Sequence, residues 1–155
     1  MRYCFDWGEI FLKIPLDFNK EGNRISVIAN VTFSSHVIPV VFIVDTGSPE
    51  TFIDEFVASK FRVMAKNLKF SNSMLMGGTK VDLFSLGKVV INFKDENKNL
   101  ARVGFNNLKV SQTSWTKPGT IYSSTSLLGM NFLLENKLTL FVNPDKREGY
   151  MEGNI

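Results

Sequence analysis

Asp45-Thr46-Gly47-Ser48 is the stretch of this sequence whose residue types and order point most directly to chemistry. It closes the apolar run Val37-Ile38-Pro39-Val40-Val41-Phe42-Ile43-Val44, so a carboxylate stands where a buried strand ends. Gly47 then lets another backbone approach closely. A charge in such a place is costly unless it is paired, hydrogen-bonded or protonated. Two uses would meet that cost. The carboxylate could cap a turn, since Asp-Thr-Gly is ordinary turn chemistry, or it could be a reactive group.

Other chemistries find little support. A single cysteine (Cys4) cannot form an internal disulfide, and with a single histidine (His36) the common His/Cys zinc constellations are excluded within one chain. No metal and no cofactor is expected. Cys4 reads as a small apolar side chain and His36 as a solvated turn residue. There is no G-x-S-x-G elbow, and Met76-Gly77-Gly78-Thr79-Lys80 lacks the spacing of a phosphate-cradling loop. The net charge of +3 is scattered, and its densest group, Lys146-Arg147, is flanked by Asp145 and Glu148. That is a solvated face rather than a nucleic-acid footprint, and no nucleic-acid partner is expected.

The elements that must position Asp45 come from a globular composition. The 155 residues are 44% hydrophobic, 21% charged and 12% aromatic, which fits a single domain over 1–155 with a real core. Period-two alternation dominates. Even positions from Ile10 to Phe18 and odd positions from Ile25 to Phe33 are apolar, which predicts two half-buried strands joined as a hairpin through the turn residues 19–23. Val37 to Val44 reads as a strand covered on both faces. Asp54 is placed to cap a short helix through Phe61. Strands are predicted over Val81 to Leu86, Val89 to Phe93 and Ala101 to Phe105, a loop over Gln112 to Ser126, and a short helix over Asn131 to Leu134. Leu138 to Val142 and Arg147 to Glu152 are predicted strands about the Pro144 turn. The fold class is all-β: a closed, barrel-like lobe with one or two short helices. The longest apolar run is far below the roughly 20 residues of a membrane-spanning helix, and residues 1–7 carry charge where a leader needs apolar chain. A soluble, cytoplasmic protein without a membrane partner is expected.

Taken in order, these features resemble the retropepsin-like aspartic proteases, the single-lobe family that includes the retroviral enzymes. The apolar strand entering Asp45-Thr46-Gly47-Ser48 and continuing through Thr51-Phe52-Ile53 is the first match. Met76-Gly77-Gly78-Thr79, ahead of Val81 to Leu86, stands in the place of the family's glycine-tipped flap. Leu127-Leu128-Gly129-Met130-Asn131-Phe132-Leu133 is similar to the family's apolar-apolar-Gly segment and the helix after it. Two positions depart from the viral pattern: Pro49 and Met130 stand where an acid and an arginine pair in viral members. Losing both partners costs less than leaving one charge alone.

The resemblance implies an aspartic endopeptidase with one lobe per chain. Asp45 opens the only Asp-(Thr/Ser)-Gly, since the remaining aspartates continue Asp6-Trp7, Asp17-Phe18, Asp54-Glu55, Asp82-Leu83, Asp95-Glu96 and Asp145-Lys146. The catalytic dyad then needs Asp45 from each chain of a homodimer. Thr46 would brace the two loops, and Gly47 would accept substrate backbone. Ser48 is expected to donate to the outer oxygen of Asp45 and favour its ionised form, giving an acidic optimum. An extended polypeptide substrate would lie under the flap residues Met76, Gly77, Gly78 and Thr79, with Ile53 and Leu127 lining apolar pockets or simply packing the core. The alternative is a module of the same fold that dimerises or binds protein with little or no catalysis.

Overall fold

Alternation along the sequence becomes one-sided burial in the structure. The computed structural model describes residues 10–19, 24–113 and 125–155. Strand β1 (Phe11–Pro15) buries Leu12 and Ile14, and β3 (Ile25–Phe33) buries Val27, Ala29 and Val31. These join Phe42, Ile91, Phe93, Phe105, Phe132 and Met151 in one apolar core. The aromatic rings interlock there, Phe132 lying 5.5 Å from Phe105 and 5.8 Å from Phe93 between ring centroids.

Two sheets surround this core. The smaller is antiparallel, in the order β1-β11-β10, with β10 at Thr139–Asn143 and β11 at Glu148–Asn154. The larger contains β2 (Asp17–Phe18), β3, β4 (His36–Val44), β9 (Ser126–Leu128), β5 (Phe52–Asp54), β8 (Leu100–Thr113), β7 (Thr79–Lys94) and β6 (Lys69–Met76), in that spatial order. A second pairing, from Asn30↔Asn92 to Thr32↔Val90, bends the large sheet back so that β7 meets β3. The predicted all-β class holds, but the sheets do not close into a true barrel. The β5–β9 link is the single pair Phe52↔Leu127, too short a ladder to carry continuous closure.

Several expectations need correction. The first hairpin does not form as a long ladder. Only Asp17 and Phe18 pair with β3, while β1 pairs with β11. The chain changes sheets at Pro15, and Leu16 N–H donates to the Gly149 carbonyl at 2.9 Å. Strand β4 is buried on one face only: Val40, Phe42 and Val44 point inward, while Val37 and Val41 are exposed, as is Ile28 opposite Val41. An unbroken apolar run conceals which alternate positions face water. Strand β6 was not predicted, and β7 and β8 run further than expected, passing through Gly87 (φ 102°) by register shifts rather than ending there. Of the expected loop Gln112 to Ser126, the ends belong to β8 and β9, and residues 114–124 lie outside the described residues.

Both helices appear where expected. The buried Asp54 caps α1 (Glu55–Lys60), its Oδ1 accepting from Val57 N–H at 3.0 Å. Helix α2 (Met130–Glu135) starts at Gly129 and brings Phe132 and Leu133 into the core. Among the described residues no helix is long and apolar enough to cross a membrane.

Candidate active site

Asp45 is presented by two parallel strands. Val44 on β4 pairs with Leu128 on β9, and the next backbone step, Asp45 N–H to the Leu128 carbonyl, closes the pair at 3.1 Å. Burial of Phe42 and Val44 fixes the strand, so the residue just past its end is delivered at the surface with its carboxylate exposed. The loop then folds on that carboxylate. Gly47 N–H donates to Asp45 Oδ1 at 2.9 Å, and Ser48 N–H donates to the Asp45 carbonyl at 3.1 Å. A Cβ at Gly47 would stand 3.1 Å from Oδ1, so glycine leaves the carboxylate room.

Behind Asp45 the chain is strapped to the segment 128–131. Met130 N–H donates to the Ser48 carbonyl at 2.8 Å and Asn131 N–H to the Pro49 carbonyl at 3.3 Å. The fully buried Thr51 hydroxyl accepts from Gly129 N–H at 2.8 Å and donates to Asn131 Oδ1 at 2.7 Å. Gly129 is required for space: a Cβ there would fall 2.2 Å from the Glu50 carbonyl oxygen.

Ser48 differs from expectation. Its side chain is 2% exposed, and the hydroxyl donates to the Glu50 carbonyl at 2.8 Å while Glu50 N–H donates back at 3.3 Å. It ties the loop to itself instead of bonding to the Asp45 carboxylate. Thr46 is exposed on the same loop.

Sequence reasoning missed Glu50, Lys109 and the side chain of Asn131. Where Pro49 and Met130 leave no ion pair, the residues one position further along each segment, Glu50 and Asn131, make an acid–amide hydrogen bond, and the charge partner of Glu50 comes from β8. Glu50 Oε2 accepts from Asn131 Nδ2 at 3.1 Å, and Glu50 Oε1 accepts from Lys109 Nζ at 2.8 Å. An acid and an amide each shifted by a single position were the available signal. Lys109, which comes from β8, carried none.

The predicted substrate-facing residues separate into two groups. Met76, Gly77, Gly78 and Thr79 form the tip of the β6–β7 hairpin, Met76 pairing with Thr79 across a two-glycine turn at φ 55° and 82°. Positive φ at both central residues is what a tight hairpin turn of this twist requires. Leu127 belongs to a small apolar cluster with Phe52, Val81 and Leu83, against which Ile43, Met74 and Met76 pack. This cluster joins the hairpin to the strands that carry Asp45. Ile53 lies apart from it, buried in the main core. Among the described residues no three of His, Cys, Asp or Glu converge as metal ligands would.

Among solved structures, the chain is similar to the crystal structure of a retropepsin-like aspartic protease from Rickettsia conorii, with a TM-score of 0.62 and 21% identity over 97% of this chain and 98% of that one. The fold is retropepsin-like. No family model and no curated protein matches the sequence. The strap between the Asp45 loop and Gly129 brings together segments far apart in the chain, and the β6–β7 hairpin packs beside them.

Proposed function

We propose that this chain is a single-domain aspartic endopeptidase whose centre is completed by a second copy. The observation that carries the reading is Asp45 itself: an exposed residue at the end of a half-buried strand, its backbone N–H bonded to the Leu128 carbonyl and its carboxylate to the Gly47 N–H. A turn cap alone would not need the further bracing by Ser48, Thr51 and Gly129. With Asp45 from each chain across a two-fold axis, two carboxyls share one proton, because like charges so close do not both ionise cheaply. The ionised carboxyl takes a proton from a water whose oxygen bonds to the peptide carbonyl carbon. The protonated carboxyl gives its proton to the carbonyl oxygen. Collapse of the tetrahedral adduct breaks the C–N bond as the nitrogen takes a proton, leaving a carboxyl and an amine.

The exposure of Thr46 on the loop supports a role in meeting its symmetry mate, and Gly47 admits substrate backbone. The hairpin tip Met76 to Thr79 serves as flap over an extended polypeptide, and Leu127 forms part of the apolar floor. Ile53 acts through packing. The shared proton supports an acidic optimum; Ser48, bonded to Glu50, contributes through loop shape.

Cleavage of a peptide library at acidic pH by wild type, and its loss in Asp45→Asn, is the decisive test. Equal cleavage by the variant would sink the proposal, as would a dimer that holds the two Asp45 carboxyls far apart. A second reading, a protein-binding module of the same fold, draws on the exposed apolar face of Ile28, Val37 and Val41. Binding without cleavage in wild type would favour it.

A further inference from the structure

Lys109 stands where three elements meet. Its ammonium donates to Glu50 Oε1 in the Asp45 loop at 2.8 Å and to Asn72 Oδ1 on β6 at 2.9 Å. The Lys109 and Glu50 side chains are 13% and 20% exposed, so the contact is largely withdrawn from water. The other Glu50 oxygen is taken by Asn131. Both carboxylate oxygens are therefore committed, and Glu50 works as a junction.

Asn72 lies at an irregularity of the hairpin. The β6–β7 register shifts between Phe70 and Asn72, and the β7–β8 register shifts on both sides of Gly87, which pairs with Leu108 beside Lys109. Bulges are where strands bend. Strand β6 is the edge of the large sheet, neighboured there by β7 alone. Beyond the bulge, Met74 and Met76 pack with Ile43, Phe52 and Leu127, beside the Asp45 strand. The Lys109 side chain thus spans β7 and fastens the tip side of this edge strand to the loop that carries Asp45.

The geometry points to Lys109 as a positioning residue that locks the β6–β7 hairpin to the Asp45 loop. A peptide held between hairpin and loop is gripped by two parts whose separation this ammonium sets together with the apolar cluster of Phe52 and Leu127. The kinetic consequence rests on the endopeptidase reading; the lock itself does not. Lysine suits the task because a compact ammonium can donate to a carboxylate and an amide oxygen at once, and arginine retains enough donors to replace it.

The test uses the full chain with Lys109→Met, Lys109→Arg and Asn72→Ala. Asn72→Ala cuts only the hairpin arm and leaves the Lys109–Glu50 pair, so it serves even if Lys109→Met folds poorly. Hydrogen exchange of the free protein should show the amides from Asn72 to Gly78 opening about tenfold faster in Asn72→Ala and Lys109→Met, the ordinary worth of a charge-assisted bond. Amides of β10 and β11 should keep their wild-type rates, and Lys109→Arg should behave as wild type. With peptide substrate, KM should rise about tenfold while kcat changes less than about twofold. Hairpin exchange at wild-type rates, or acceleration equal throughout the chain, would overturn the lock. Wild-type protein that cuts no peptide overturns the endopeptidase reading instead, and the exchange pattern still decides on the lock.

Discussion

Gly129 and the Gly77-Gly78 pair show two uses of glycine within one retropepsin-like fold. At Gly129 the backbone is ordinary in hand, and the constraint is space: the Glu50 carbonyl occupies the volume a Cβ would need. At Gly77 and Gly78 nothing lies within 4 Å of an added Cβ, and the constraint is a left-handed backbone. The floor of the site is thus close-packed and fully bonded, whereas the hairpin tip is open and specified by its turn. On the proposed endopeptidase reading, a carboxylate that has to meet its mate at a fixed distance would draw on the first kind of support, and a segment that has to admit and cover a peptide would draw on the second.

Substitutions in the floor should have the largest effects. Gly129→Ala forces apart the Glu50 and Gly129 backbones, neither of which is the end of a flexible side chain. A stability loss of about 3 kcal/mol is expected in denaturant unfolding. A loss below about 1 kcal/mol would show that the floor yields and would break the contrast with the hairpin. Thr51→Val keeps the shape of a fully buried side chain but strands the Gly129 N–H and frees the Asn131 amide oxygen. About 2 kcal/mol should be lost by the same measurement, since an unpaired buried donor bears its full desolvation cost.

Much of the floor was legible from the sequence because its signals are local. An apolar run ending at Asp45-Thr46-Gly47, and Leu127-Leu128-Gly129 ahead of a helix, each declare a strand end that neighbouring residues specify. The resemblance then pairs the two. What stayed hidden depends on distance in the chain. Lys109 reaches Glu50 from β8, and no pattern around Lys109 distinguishes it from the other scattered lysines. The true partner of β1 was equally hidden, because period two defines which face is buried and says nothing of which strand lies alongside. The one-sided exposure of β4 was missed for a related reason: valines on both faces erase the alternation that would have revealed it. Strand β6, rich in Ser and Asn and largely exposed, gave too weak a pattern for strand prediction.

The hairpin should respond more mildly. Gly78→Ala meets no neighbour and bears only the cost of a left-handed alanine, about 1 kcal/mol, confined to the turn. Faster exchange at the hairpin with little change in the thermal midpoint would fit. A midpoint drop as large as that of Gly129→Ala would mean that the tip is as tightly held as the floor.

Ser48→Ala, at the edge of the floor, gives an effect no larger than that of Gly78→Ala and asks the sharpest question. The hydroxyl both donates to and accepts from Glu50, so its removal should cost about 1 kcal/mol through the loop. A hydroxyl on the Asp45 carboxylate would instead favour ionisation, and its loss would move the acid limb of the rate profile upward. Because Ser48 is turned to Glu50, the acid limb should stay in place while stability falls slightly. The two readouts separate the roles: a purely mechanical brace moves stability alone, and an electrostatic one moves the profile. An upward shift in Ser48→Ala would mean that the hydroxyl turns to Asp45 once the second copy docks, making the floor the more adaptable of the two regions.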